Sequence, residues 1–158
     1  QALYDAIRAA GNANILFVAA AGNSSLNIDT TPSYPASYQL PNVIAVAAID
    51  QTGRRAGFSN FGVNSVHIAA PGVNIVSTVP TAKGAAGYAY MSGTSMAAPH
   101  VSGAAALYAS LNPCATAAQI REALLRLAVR DPQLTGVVQL NRRLDASKIR
   151  RELACGTP

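Results

Sequence analysis

At 158 residues, half of them hydrophobic, the chain has room for one ordinary globular core and is far too apolar to be disordered. Its formal charge of +5 is uneven, because residues 119–158 carry eight of the twelve Lys and Arg against four acids. Those basic residues are spaced between Leu and Ile, as on a solvated helix face rather than a nucleic-acid-binding run. No stretch nears the roughly 20 apolar residues of a membrane span.

In chain order, Ala2–Ala10 places Leu3, Ile7 and Ala10 on one stripe, which predicts an amphipathic helix stopped by Gly11. Ile15–Ala21 is apolar without alternation, as in a parallel strand covered on both faces. It ends in Gly22-Asn23-Ser24-Ser25, at the strand end where open α/β sheets build their sites, although Asn23 taken alone is equally a turn residue. Thr31–Ala36 is a loop and Val43–Ala48 a second buried strand; Phe58–Gly62 and Val66–Gly72 follow as a loop and a short strand ending at Pro71. Gly84–Tyr90 returns the chain to Met91–Gly103.

That stretch joins a glycine turn to a helix of small residues. Pro99 is tolerated only near a helix start, so the helix begins close to Thr94–Met96 and Ser95 sits at its positive end. Free amides of the first turn can there stabilise negative charge on a substrate oxygen, whereas a serine in this place is also what a plain N-cap looks like. The near absence of bulk in Gly103–Leu107 predicts a buried central helix. Beyond Asn112-Pro113, Thr116 caps a helix with Ile120, Leu124, Leu127 and Ala128 on one face and Arg121, Glu122 and Arg126 around the rest. Leu140–Ala154 is expected to be a last helical stretch.

The run Gly93-Thr94-Ser95-Met96-Ala97-Ala98-Pro99-His100-Val101 resembles the nucleophile motif of the subtilisin-like serine proteases, or subtilases. Ala20-Ala21-Gly22-Asn23, Tyr34-Pro35-Ala36, Phe58–Gly62, Val66–Gly72 and Arg143-Leu144-Asp145-Ala146 extend the similarity from Ala2 to about Ile149. The resemblance implies an α/β fold, part of a three-layer α/β/α domain with a mostly parallel sheet. It implies Ser95 as nucleophile, Asn23 as oxyanion donor, and Ala20, Ala21, Gly22, Ser33 and Thr94 as substrate-binding residues. Ser33 would form the base of an S1 pocket with room for an uncharged P1 side chain, beside a cis Tyr34–Pro35 bond. In the family the backbone carbonyls matched by Ala36, Tyr38 and Val43 can surround a weak cation with an aspartate, but this chain has His67 in the aspartate's place. An imidazole is a poor ligand for Ca²⁺, so no metal or other cofactor is expected; His67 itself reads as a partly exposed residue at a strand edge.

A serine hydroxyl needs a base to take its proton. His100 lies five residues beyond Ser95, about 140° round the helix, and cannot reach it; His67 has no motif that aims it there. Subtilases order their triad Asp, His, Ser, and neither an Asp-Ser/Thr-Gly nor a His-Gly-Thr motif occurs in this chain. Residues 1–158 are therefore expected to be the C-terminal portion of one catalytic domain, with the Asp and His half upstream of residue 1. The expected whole is a secreted serine endopeptidase acting on polypeptides and made with a propeptide, inactive as this piece; neither nucleic acid nor membrane is a partner. The alternative is a non-catalytic peptide-binding or scaffold pseudoprotease. Cys114 and Cys155 fit no zinc spacing. In the oxidising compartment implied by the resemblance they would form a disulfide, the other reading being a buried Cys114 and a free thiol on the tail.

Overall fold

In the computed structural model, which describes residues 1–80 and 86–153, the elements are a helix Ala2–Asn12 (α1), strands Phe17–Ala20 (β1), Val43–Ile49 (β2), Ile68–Pro71 (β3), Ile75–Pro80 (β4) and Ala86–Met91 (β5), helices Thr94–Leu111 (α2) and Ala117–Leu127 (α3), and two-residue strands Val129–Arg130 (β6) and Arg142–Arg143 (β7). Five strands form one sheet in the order β1-β2-β3-β7-β6, parallel throughout except for β6 against β7. β4 and β5 pair as a separate antiparallel hairpin that leads into α2.

Every residue of β2 is buried, and its alternation divides the core. Ile44, Val46 and Ala48 meet Ala97, Val101 and Ala104 of α2 and Leu124 and Leu125 of α3. Val43, Ala45, Ala47 and Ile49 face the opposite layer, to which α1 contributes Ile7. The result is an α/β architecture, a mostly parallel sheet between helical layers. Alanine on the facing elements lets α2 sit close to the sheet. The chain is tightly packed at Gly72, where a Cβ would stand 2.6 Å from the Cβ of Ala48 and 2.8 Å from the carbonyl oxygen of Gly93. Gly93 N–H donates to Gly72 O at 2.8 Å, which ties the start of α2 to the end of β3.

Several expectations change. α1 runs through Gly11 to Asn12, because the left-handed residue that turns the chain away is Asn14 (φ 62°); Leu3 lies off the buried face and is exposed. Within this chain β1 pairs only with β2, and Ile15, Phe17 and Val18 keep surface. α2 is not buried all round: Ala97, Val101, Ala104 and Tyr108 form one inner stripe, while Ser95, Pro99, Ser102, Gly103, Ala106 and Leu107 are exposed. The expected helix over Leu140–Ala154 is replaced by two 3₁₀ turns flanking β7. Leu140 and Asn141 are left-handed (φ 54° and 56°), and Arg143 pairs with Ala69 of β3; Ala154 lies outside the described residues.

Thr116 caps α3 as expected, and the Gln119 side chain returns a bond to complete a capping box. Asn112, fully buried, fastens the segment that follows. Its Nδ2 donates to Tyr108 O and Arg150 O, both at 3.0 Å, and its Oδ1 accepts from Glu152 N–H (2.7 Å) and Leu153 N–H (2.9 Å). Cys114 is disulfide-bonded; Cys155 lies outside the described residues.

Candidate active site

β1 delivers the chain to the site, and two side chains shape the loop that follows. Gly22 has φ 105°, a conformation that favours glycine, and its N–H donates to Thr94 Oγ1 at 3.1 Å. The buried Asn60 holds the same loop from beneath. Its Nδ2 donates to Ala21 O at 2.8 Å, and its Oδ1 accepts from Ser24 N–H at 3.1 Å and Leu26 N–H at 2.9 Å. Sequence reasoning noted Phe58–Gly62 only as part of a pattern. The available signal was a Ser-Asn pair between two phenylalanines, since polar residues buried in such a setting must find partners.

Asn23 is oriented by the helix it faces. Thr94 N–H and Thr94 Oγ1–H both donate to Asn23 Oδ1 at 2.9 Å. With Oδ1 doubly engaged, the amide can point only one way, and Nδ2 is left as a donor with no acceptor among the described residues. Thr94 is itself wholly buried, so its side chain bears on the site through Asn23 and Gly22.

The first turn of α2 is nearly used up. Thr94 N–H goes to Asn23, while the amides of Met96 (3.0 Å) and Ala97 (3.3 Å) reach Gly93 O. Ser95 N–H alone of these four has no acceptor among the described residues, and the exposed Ser95 hydroxyl has no partner there either. A Cβ on Gly93 would stand 3.5 Å from Asn23 Nδ2 and 3.7 Å from Ser95 N. The two free donors therefore converge on one space, and Met96 Sδ borders it at 3.7 Å from the same point.

Neither histidine joins this constellation. His100 Nδ1–H donates to Met96 O at 2.9 Å, which ties the ring to its own helix. His67 is buried at 4% exposure, contrary to the expected strand-edge position, because its Nδ1 accepts the Ala45 N–H (2.9 Å) just before the β2–β3 pairing begins at Val46 and Ile68. Burial, followed by the charges of Arg121 and Arg142, lowers its pKa to about 4. The ring is thus neutral, with its proton on Nε2.

The same region bears on the weak cation suggested by Ala36, Tyr38 and Val43. The carbonyl of Val43 accepts from Arg121 Nε at 2.9 Å, which sets a fixed positive charge against one of the three carbonyls. With a neutral His67 replacing the carboxylate, these residues do not fit a metal ion. Of the substrate-binding candidates, Ala21 is fully buried, with its N–H on Val46 O and its carbonyl on Asn60, whereas Ala20 and Gly22 keep surface. Ser33 Oγ lies 3.5 Å from where a Cβ on Gly22 would stand, and the Tyr34–Pro35 bond is cis.

A family model described as the subtilase family matches residues 1–148. A thermophilic serine proteinase of Bacillus sp. (strain AK1) is 54% identical over 108 residues, covering 68% of this chain and 24% of its own length. Subtilisin BL of Lederbergia lenta is 45% identical over 126 residues, covering 80% of this chain and 43% of its own. A solved protease structure from Pseudoalteromonas arctica superposes with a TM-score of 0.79 at 31% identity, over 92% of this chain and 45% of that one. This chain therefore spans less than half the length of each of these relatives.

Proposed function

The chain belongs to the subtilase family, and from that membership we propose that it forms part of a serine endopeptidase in which Ser95 is the nucleophile. The observation that carries the proposal is the convergence of two unpartnered donors, Asn23 Nδ2 and Ser95 N–H, on one space beside the Ser95 hydroxyl. Such a pair suits the oxygen of a tetrahedral intermediate. Ser95 Oγ bonds to the peptide carbonyl carbon, its proton passes to an imidazole base and then to the leaving amine, and water hydrolyses the acyl-enzyme. Asn23 and Ser95 N–H hold the oxyanion, Thr94 and Asn60 position Asn23, and Ala20, Gly22 and Ser33 border the substrate.

The base and its orienting carboxylate are assigned to a further segment of the domain, upstream in the family's triad order. The unpaired edge of β1 and the uncharged, exposed stripe of α2 around Ser95, Pro99, Ser102 and Ala106 offer that segment a sheet edge and a close-packing surface. A secreted enzyme with a propeptide fits the family, and the disulfide at Cys114 fits an oxidising compartment.

The test is labelling by a fluorophosphonate probe and hydrolysis of a chromogenic peptide, with this chain alone and with the upstream Asp- and His-bearing segment supplied. Expected are no labelling alone, labelling of Ser95 in the complete domain, and its loss in Ser95→Ala. Asn23→Ala should lower kcat roughly 10²–10³-fold, the magnitude known for the corresponding donor in subtilisin. A complete domain that binds peptides but neither labels nor turns over would establish the non-catalytic scaffold instead.

A further inference from the structure

A cleft of about 640 Å³ opens between α3 and the β6–β7 end of the sheet, lined by Arg121, Arg126, Arg130 and Arg142 against a single carboxylate, Glu122. Arg126 is paired with Glu152. Among the described residues the other three have no carboxylate within ion-pair distance. They are held close together all the same. Arg130 and Arg142 are directly opposite each other across β6 and β7, a placement that is unfavourable for like charges. Arg121 is fixed by its Nε bond to Val43 O at 2.9 Å, and Arg142 by an Nη1 bond to Gln139 Oε1 at 3.1 Å, which leaves the remaining guanidinium N–H groups of both for another acceptor. Burial weakens the hold of Arg121 and Arg142 on their protons, and the charge of Arg142 then acts on Arg121 as that of Arg130 acts on Arg142. Behind them His67 is uncharged.

We propose that this cleft is an oxyanion-binding site for a phosphate- or sulfate-type group, gripped by the guanidinium forks of Arg121 and Arg142 with Arg130 at the rim. Planar guanidinium pairs match tetrahedral oxyanions in two-point contacts, and a bound anion would supply the counter-charge that the fold omits. The cleft is larger than an inorganic ion requires, so the group can be free or esterified to a small molecule. This site is independent of the peptidase reading, and its readout is binding.

The test titrates the protein with inorganic phosphate, sulfate and phenyl phosphate at constant ionic strength maintained with chloride, followed by calorimetry and by the thermal midpoint. Saturable binding with a rise in the midpoint is expected, weakened at least about tenfold by Arg142→Gln and by Arg130→Gln, an exposed position where folding is not at stake, and unchanged by Arg8→Gln on α1. Tighter binding of phenyl phosphate than of phosphate would identify an esterified ligand, and equal binding a free ion. Phosphate and sulfate acting no differently from chloride, or binding that survives Arg130→Gln and Arg142→Gln together, would overturn the proposal.

Discussion

Replacing Asn60 by leucine, a side chain of similar size, tests whether the loop carrying Asn23 is held from below. The substitution removes the bond to Ala21 O and the two bonds from Ser24 and Leu26 N–H. Three neutral hydrogen bonds at about 1 kcal/mol each give a loss of about 3 kcal/mol. Ser24 and Leu26 are exposed and their amides can turn to water, but the carbonyl of the buried Ala21 cannot, so little relief is available on that side. Asn60→Asp separates the two halves of the effect: it keeps the acceptor for Ser24 and Leu26 and sets a carboxylate oxygen against Ala21 O. Its carboxyl pKa should rise, and a protonated carboxyl can donate to Ala21 O, so the variant should regain stability as pH falls. Urea unfolding gives the free energies, and the Asn23 side-chain amide resonance reports the position of the donor. A loss below about 1 kcal/mol in Asn60→Leu, or an Asn23 amide unmoved in both variants, would refute the reasoning.

His67 gives a pH dependence of definite sign. Its pKa is lowered from 6.5 to about 4 in the folded state, so its contribution is present in full above pH 6.5 and is lost as pH falls toward 4, with about 2 kcal/mol gone by pH 5; a stability curve over that range that His67→Asn fails to flatten would contradict this. Asn112→Ala removes four hydrogen bonds from a fully buried position and should cost about 3–4 kcal/mol, with trypsin cleaving at Arg150 and Arg151 well before it does in the parent chain. Gly22→Ala places a Cβ 2.4 Å from Asn60 Nδ2 at φ 105°, and should destabilise by about 1–3 kcal/mol while displacing Asn23; unchanged unfolding would show that the loop has slack.

Some of this protein was legible in its residues because the governing interactions are local. Pro99 limits how far upstream α2 can begin, and the helix starts at Thr94. Thr116 and Gln119, three residues apart, complete their capping box without help from the rest of the chain. The apolar run Val43–Ala48 reads as a strand buried on both faces, and β2, Val43–Ile49, is buried at every residue. The motif around Ser95 identified the family for the same reason, since the hydroxyl, the glycine turn and the helix start are contiguous. Other features depended on partners far along the chain. The direction of the Asn23 amide is set by Thr94, 71 residues away, and only that bond leaves Nδ2 free. His67 is buried and neutral because Ala45, 22 residues earlier, offers it an N–H, and because Arg121 and Arg142 arrive beside it from α3 and β7. Arg142 and Arg143 fall within a stretch that reads as helical in sequence, yet they form a strand because Arg143 pairs with Ala69 of β3 and both pair with β6, and a two-residue segment has too little propensity of its own to resist. β1 is apolar along its length, and within this chain it pairs on one side only, with β2; which strand lies on its other side is a matter of tertiary pairing and not of its own residues.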